Sequence, residues 1–400
     1  PKFLLGTLTI LCMLTVFFVP AYDGSMLEWA NIPLMNWLRD VSSILLTMFL
    51  PGYFLLKILD SRNSVELSAT IPLSYVLSMF LTFITGFGLL LTRDSLYSLA
   101  NYSLIAVNLA LMFIYYVRPS LQKHSATRIS LVELGALSAT LLVTAVGNIY
   151  VMNNTLPLFR GDMWRHLANA LQYSKDFPVH GGMLLPGGPY LFYVFLATFF
   201  QLSGLPSPIA YQALFILSFI PALSFYSFIK RWFPRGRVSS IAILLVPLLG
   251  FGSLYALNLK VQNQGMTIAE VLFNTIRKTY DIKDIAIITS GVSNVVPVLF
   301  IELPTLFMFL YLLRKELNST LRFTLFGVLV AVSFLGHISG AFFMGLILFL
   351  YGIIMKGESV KDAVLGGVFG LFLVFLVDIA TPAGNYVIGV RGISSESRIP

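Results

Sequence analysis

Residues 67–92 read LSATIPLSYVLSMFLTFITGFGLLLT, a run without one charged side chain. As a helix it would extend about 39 Å at 1.5 Å per residue, more than the ~30 Å hydrocarbon core of a bilayer. Working outward, similar apolar runs recur at 3–20, 41–59, 98–117, 131–152, 188–205, 208–229, 238–256, 295–313, 321–335, 338–356 and 361–381. Together they predict about twelve membrane-spanning helices. The runs are continuous rather than alternating, which excludes a transmembrane β-barrel. Composition agrees. Of 400 residues, 57% are hydrophobic and 11% charged, against roughly 25% charged in a soluble domain. The predicted fold class is an all-α polytopic integral membrane protein, placed in a cell membrane and read as prokaryotic.

The charges fall in short clusters between the runs. Lys57 and Arg62; Arg118, Lys123 and Arg128; Lys230, Arg231, Arg235 and Arg237; Arg314 and Lys315; and Lys356 and Lys361 mark cytoplasmic loops by their basic character. The net charge of +8 is therefore a topology signal, not a nucleic-acid one. The two longest loops, 153–187 and 257–294, then fall outside, with His337 and the tail from Pro382. One conflict remains. If 188–205 and 208–229 both cross fully, Lys230–Arg237 lands on the wrong side. Segment 188–205 is the shorter and is flanked by glycines and prolines, so it is the first suspect for a re-entrant element.

The polar segment RPSLQKHSATRIS at 118–130 suggests a boundary. Residues 1–130 form a first membrane module of four helices, and 131–400 form a second that owns the long loops. The first apolar run lacks a signal-peptide cleavage pattern and reads as a retained span. Cys12, the single cysteine, forms no internal disulfide. The chain starts at Pro1 and stops at Arg398-Ile399-Pro400, as expected for a segment of a longer protein.

The segment that carries chemistry is PLFRGDMWRHLANALQYSKDFP, 157–178. Asp162 suits a helix N-cap. Met163, Leu167, Ala170 and Leu171 then follow an apolar helical spacing, while Asp162, His166, Asn169 and Tyr173 form the opposite stripe. Pro178 ends the element. The pattern predicts an external amphipathic helix at 162–176 lying on the membrane surface. A carboxylate there can accept a proton from an incoming hydroxyl or amide. Asp162 and His166, one turn apart, can share a divalent cation. The plain alternative is an N-capping aspartate followed by a solvated polar face.

The stretches GDMWRHLANALQYSKDFP and LLPGGPYLFYVFLATFFQLSG resemble the first external loop and following helix of the GT-C glycosyltransferases, most closely the archaeal and oligosaccharyltransferase-like branch. The likeness covers 131–230 well and 295–356 loosely. It implies a polytopic enzyme that moves a sugar from a polyprenyl-phosphate carrier to a glycan, lipid or protein acceptor on the external face. It implies Asp162 as the catalytic or metal-linked carboxylate, with Mg or Mn as the metal. His166 then orients the acceptor or the ion, and Trp164, Arg165 and Asn169 line the substrate. Arg165 stands where the family more often has an aromatic residue. The Trp-Trp-Asp-type acceptor motif of oligosaccharyltransferases is missing from these residues, so a peptide acceptor is less supported.

Other candidates stay open between two readings. Glu302, inside VLFIELPTLFMFLYLL, is either a second catalytic acid facing the Asp162 pocket or an interfacial residue ahead of Pro304. Arg277 and Lys278 either hold the donor phosphate or are solvated loop charges. His337 either contacts the donor or serves helix packing, and Asp378 is ambiguous in the same way. The competing functions are a transporter or flippase of lipid-linked substrates, and a non-catalytic scaffold of the same fold. Transporters favour midplane charges and inverted repeats; no repeat is visible here.

Overall fold

The computed structural model describes residues 2–24, 31–60, 62–92, 100–118, 131–140, 162–175, 190–214, 217, 219–234, 242, 298–336, 338–354 and 358–380. Among these residues the chain is helical and contains no strand. Helices α1 (Lys2–Phe18), α2 (Leu34–Met48), α3 (Leu50–Leu59), α4 (Leu67–Thr92) and α5 (Ala100–Val117) make up the first group. A sixth, α6, is described over Leu131–Thr140. Then come α7 (Asp162–Lys175), α8 (Tyr190–Ser203), the short α9 (Ser207–Ala213) and α10 (Phe219–Trp232). A π-helical turn, Val298–Glu302, leads into α11 (Leu303–Arg314), followed by α12 (Ser319–Gly336), α13 (Ile338–Ile354) and α14 (Glu358–Ala380).

Among the described residues, four stretches are long and apolar enough to cross a membrane: Leu34–Leu59, Leu67–Leu89, Ser319–Gly336 and Glu358–Ala380. The outer faces of α1, α13 and α14 carry exposed Phe17, Phe349, Phe372 and Phe375. Water would not tolerate so much contiguous apolar surface. The molecule is a helical membrane protein. The span expected at 238–256 and the C-terminal part of 131–152 lie outside the described residues. The span expected at 208–229 is divided between α9 and α10.

The second span begins earlier than its apolar run. Residues 34–40 continue the helix because Arg39 and Asp40 find partners inside the bundle. Arg39 donates from Nε to the Leu202 carbonyl at 2.9 Å and from Nη1 to that of Val19. Ser203 donates its hydroxyl to Asp40 at 2.5 Å. The span then breaks at Phe49, because Pro51 has no N–H to give the Thr47 carbonyl. Thr82 of α4 donates to that carbonyl instead, at 2.7 Å. Gly52 lets α3 and α4 touch: a Cβ there would collide with the Ser74 carbonyl and come within 2.7 Å of Ser78 Oγ.

One end of the bundle gathers the basic residues. Glu66 accepts a hydrogen bond from Tyr311 and pairs with Lys315 at 2.8 Å and Arg231 at 3.9 Å. Lys230 pairs with Glu133 at 3.3 Å, and Arg118 donates to the Ile58 carbonyl. Helix α8 finishes at the opposite end, where α1 stops and α2 starts: Tyr22 N donates to the Gly204 carbonyl at 2.8 Å. Helix α10 then carries the chain to the basic end, and Lys230 and Arg231 join the other cations. This removes the sidedness conflict. At 14 residues, α8 is about 21 Å long, too short to cross a bilayer alone.

One hydrophobic core runs through both groups of helices, with two smaller clusters beside it. It includes Leu73 and Phe83 of α4, Phe195 of α8, Met308 of α11 and Leu329 of α12. Between α12 and α14 the contact is closer than side chains allow. Gly366 and Gly370 lie against Gly327, and a Cβ at Gly366 would meet the Phe323 carbonyl at 2.7 Å. Small residues at a helix interface permit this approach.

Candidate functional site

Helix α7 runs from Asp162 to Lys175, so Asp162 is its first residue. The side chains of Asp162, Met163, Trp164 and Arg165 lie outside the described residues. From His166 onward the helix differs from the expected surface helix. His166, Leu167, Ala170 and Tyr173 are all buried, Asn169 is half-buried, and Ala168 is exposed. From His166 to Tyr173 the polar stripe is folded inward, against the alternative of a solvated face.

The reason is Tyr193 on α8. Its hydroxyl lies 3.1 Å from His166 Nδ1, and its ring stacks on that of Tyr173 with centroids 6.0 Å apart. Phe192 meets the imidazole edge-on at 5.8 Å. An aromatic wall with one polar hydroxyl thus absorbs the polar stripe. A buried imidazole needs a hydrogen bond, and Tyr193 supplies one. The YLFYVFLATFF pattern held a partial signal: Tyr190, Tyr193 and Thr198 are its three polar tips, and Tyr193 is the one that meets His166.

Glu302 is also buried, at 6% exposure, and closes the π-helical turn. That turn packs on α10, α11, α12 and α13, whereas α7 packs on α8 and α9. The connection between them passes through α8, which touches both α7 and α12. Arg277, Lys278 and His337 lie outside the described residues, and Asp378 is half-buried on α14. Among the described residues no three His, Cys, Asp or Glu side chains gather around one point. His166 is the one described ligand of the two expected to share a metal.

The chain matches no family model, no curated protein and no solved structure.

Residues that the sequence did not single out form the most complete polar arrangement described here. Arg39, Asp40, Ser203 and Gly204 lock the end of α8 to α1 and α2. Gly204 takes φ +66°, and a Cβ there would come within 2.6 Å of the Arg39 guanidinium. The clamp fixes the height of α8, hence of Tyr193, hence of the imidazole it holds. Its one sequence signal is a pair of adjacent charges, Arg39-Asp40, at the margin of an apolar run.

Proposed function

We propose that this chain is a membrane glycosyltransferase of the GT-C type. It would transfer a sugar from a polyprenyl-phosphate carrier to a glycan, lipid or protein acceptor. Asp162 serves as the base that takes the acceptor proton. The acceptor oxygen attacks the anomeric carbon, and the carrier phosphate leaves. His166 orients the acceptor, and Arg277 and Lys278 hold the leaving phosphate. A divalent ion at Asp162 would add charge stabilisation, but no step of the proposal is routed through it.

One observation carries the reading. The helix that begins at the motif aspartate is seated in the bundle through His166 and Tyr193, which supports a role for its polar stripe inside the protein. A merely solvated polar stripe would not need a buried hydroxyl partner on a neighbouring helix. The test is the lipid that purifies with the protein. Mass spectrometry should recover a polyprenyl-phosphate species. A preparation that carries none, and fails to bind one when it is added, contradicts the proposal.

A transporter of lipid-linked substrates is the second reading, favoured by one observation: Asp40 and Glu302 are carboxylates buried within apolar helices. Buried ionisable residues in spans often mark transport pathways. Liposomes loaded with a labelled lipid-linked sugar separate the two readings, since a transporter moves the intact molecule and a transferase releases the carrier.

A further inference from the structure

Arg314 ends α11 at the basic end of the bundle, where it is exposed. Its guanidinium carbon sits 4.4 Å from the centre of the Trp232 ring. That ring is itself fixed. Trp232 Nε1 donates to the Leu310 carbonyl at 2.9 Å, and Phe228 and Tyr351 pack on the indole with centroids 5.7 and 6.0 Å away. The Arg314 carbonyl accepts from Arg231 Nε at 2.9 Å. An arginine stacked on an aromatic ring is preorganised for a ligand.

What the guanidinium lacks is an acceptor. Arg39, Arg118, Arg231 and Arg322 each donate to a carbonyl or a carboxylate. Among the described residues Arg314 donates to none, although its five N–H groups form a fork that fits a phosphate. The neighbouring acids do not answer it. Glu66 is taken by Lys315, Arg231 and Tyr311. Glu316, exposed two residues on, pairs with no described residue. Arg231, Arg314 and Lys315 thus stand against two carboxylates, an excess of one positive charge. Beside this cation lies apolar surface. Tyr351, packed on Trp232, belongs to the last turn of α13, where Phe349, Ile353 and Ile354 are exposed. A tryptophan and a tyrosine at the end of an apolar face mark the headgroup level of a bilayer. A lipid lying along that face would bring its phosphate to Arg314, whereas free phosphate gains nothing from α13.

We infer that Arg314, seated on Trp232, binds the phosphate of an anionic phospholipid whose chains run along α13. This site does not depend on the transfer reading. The test is the melting temperature of the purified chain in detergent with added dioleoyl-phosphatidylglycerol, the matching phosphatidylcholine or sodium phosphate. Phosphatidylglycerol should raise it saturably, because a ligand that binds only the folded state stabilises it by mass action. Phosphatidylcholine, whose choline the local positive charge repels, and inorganic phosphate should do far less. Arg314→Gln should weaken the apparent affinity for phosphatidylglycerol about tenfold, the loss of one charge-assisted hydrogen bond. Its fold should survive, since the side chain is exposed. Arg62→Gln removes an exposed charge that touches no aromatic ring among the described residues, and should leave the affinity unchanged. No shift with phosphatidylglycerol overturns the inference. So does a shift that stays intact in Arg314→Gln, an equal loss in Arg62→Gln, which makes the attraction a diffuse one, or an equal shift with phosphatidylcholine or with phosphate alone.

Discussion

Helices α8 and α14 are both strongly apolar, yet they face different solvents. In α8, Leu191 through Phe200 are all buried. In α14, 33% of the most apolar window is buried, and Phe372, Phe375 and Leu376 point outward. Length accounts for much of the contrast. At 23 residues, α14 can match a bilayer by itself. At 14 residues, α8 cannot, so protein surrounds it on every side. The ends differ too. Helix α14 is tied near its start by Asp362, which accepts from Arg322 at 2.5 Å and from Ser319 at 2.7 Å. Helix α8 is tied at its finish by Arg39, Asp40 and Gly204. Hydropathy alone therefore does not tell a central helix from a lipid-facing one; span length and the polar groups at the ends do.

The contrast can be broken most directly by removing a phenyl ring from each helix. Phe195→Ala in α8 leaves a cavity in a closed core and should cost about 3–5 kcal/mol. Phe375→Ala in α14 faces lipid and should cost less than about 0.5 kcal/mol. Melting in detergent or denaturant compares the two. Equal losses would mean that α8 is not the enclosed helix.

A smaller effect sharpens what holds α14. Gly370→Ala pushes a methyl against Gly327 of α12 and should cost about 1–3 kcal/mol. Gly367→Ala, where nothing lies within 4 Å of the new atom, should be nearly neutral. Paired melting curves decide whether backbone contact or general apolarity seats this helix.

The smallest effect concerns the contact of α7 with α8. Tyr193→Phe keeps the ring that stacks on Tyr173 and deletes the hydroxyl near His166. The loss should be about 0.5–1.5 kcal/mol. The His166 nitrogen resonances, read in ¹⁵N-histidine protein, should shift with it. Unchanged resonances would mean that the hydroxyl does not hold the imidazole.

Much of the fold was legible because apolar runs are long and lipid demands helices. Residues 67–92 and 361–381 are helical within three residues of their expected ends. What failed has physical causes. Arg39 and Asp40 cut the second span short in the sequence, because a charge without its partner reads as solvent-facing; their partners, Val19, Leu202 and Ser203, are far away in the chain. The packing partner of the polar stripe of α7 was illegible for the same reason. His166 and Tyr173 cannot reveal that Tyr193 awaits them on another helix. Glu302 was legible as an intramembrane acid, and it is buried.

The central claim is that Asp162 is a base rather than a helix cap, and one substitution separates the two. Asp162→Asn keeps size and capping ability, since asparagine caps about as well as aspartate. It removes the charge and the proton-accepting oxygen. Sugar transfer from a synthetic polyprenyl-phosphate donor, measured beside a melting curve, should fall by roughly 10²–10⁴-fold, the usual contribution of a positioned general base, with the melting temperature nearly unchanged. A folded Asp162→Asn protein that transfers sugar at the full rate would contradict the account.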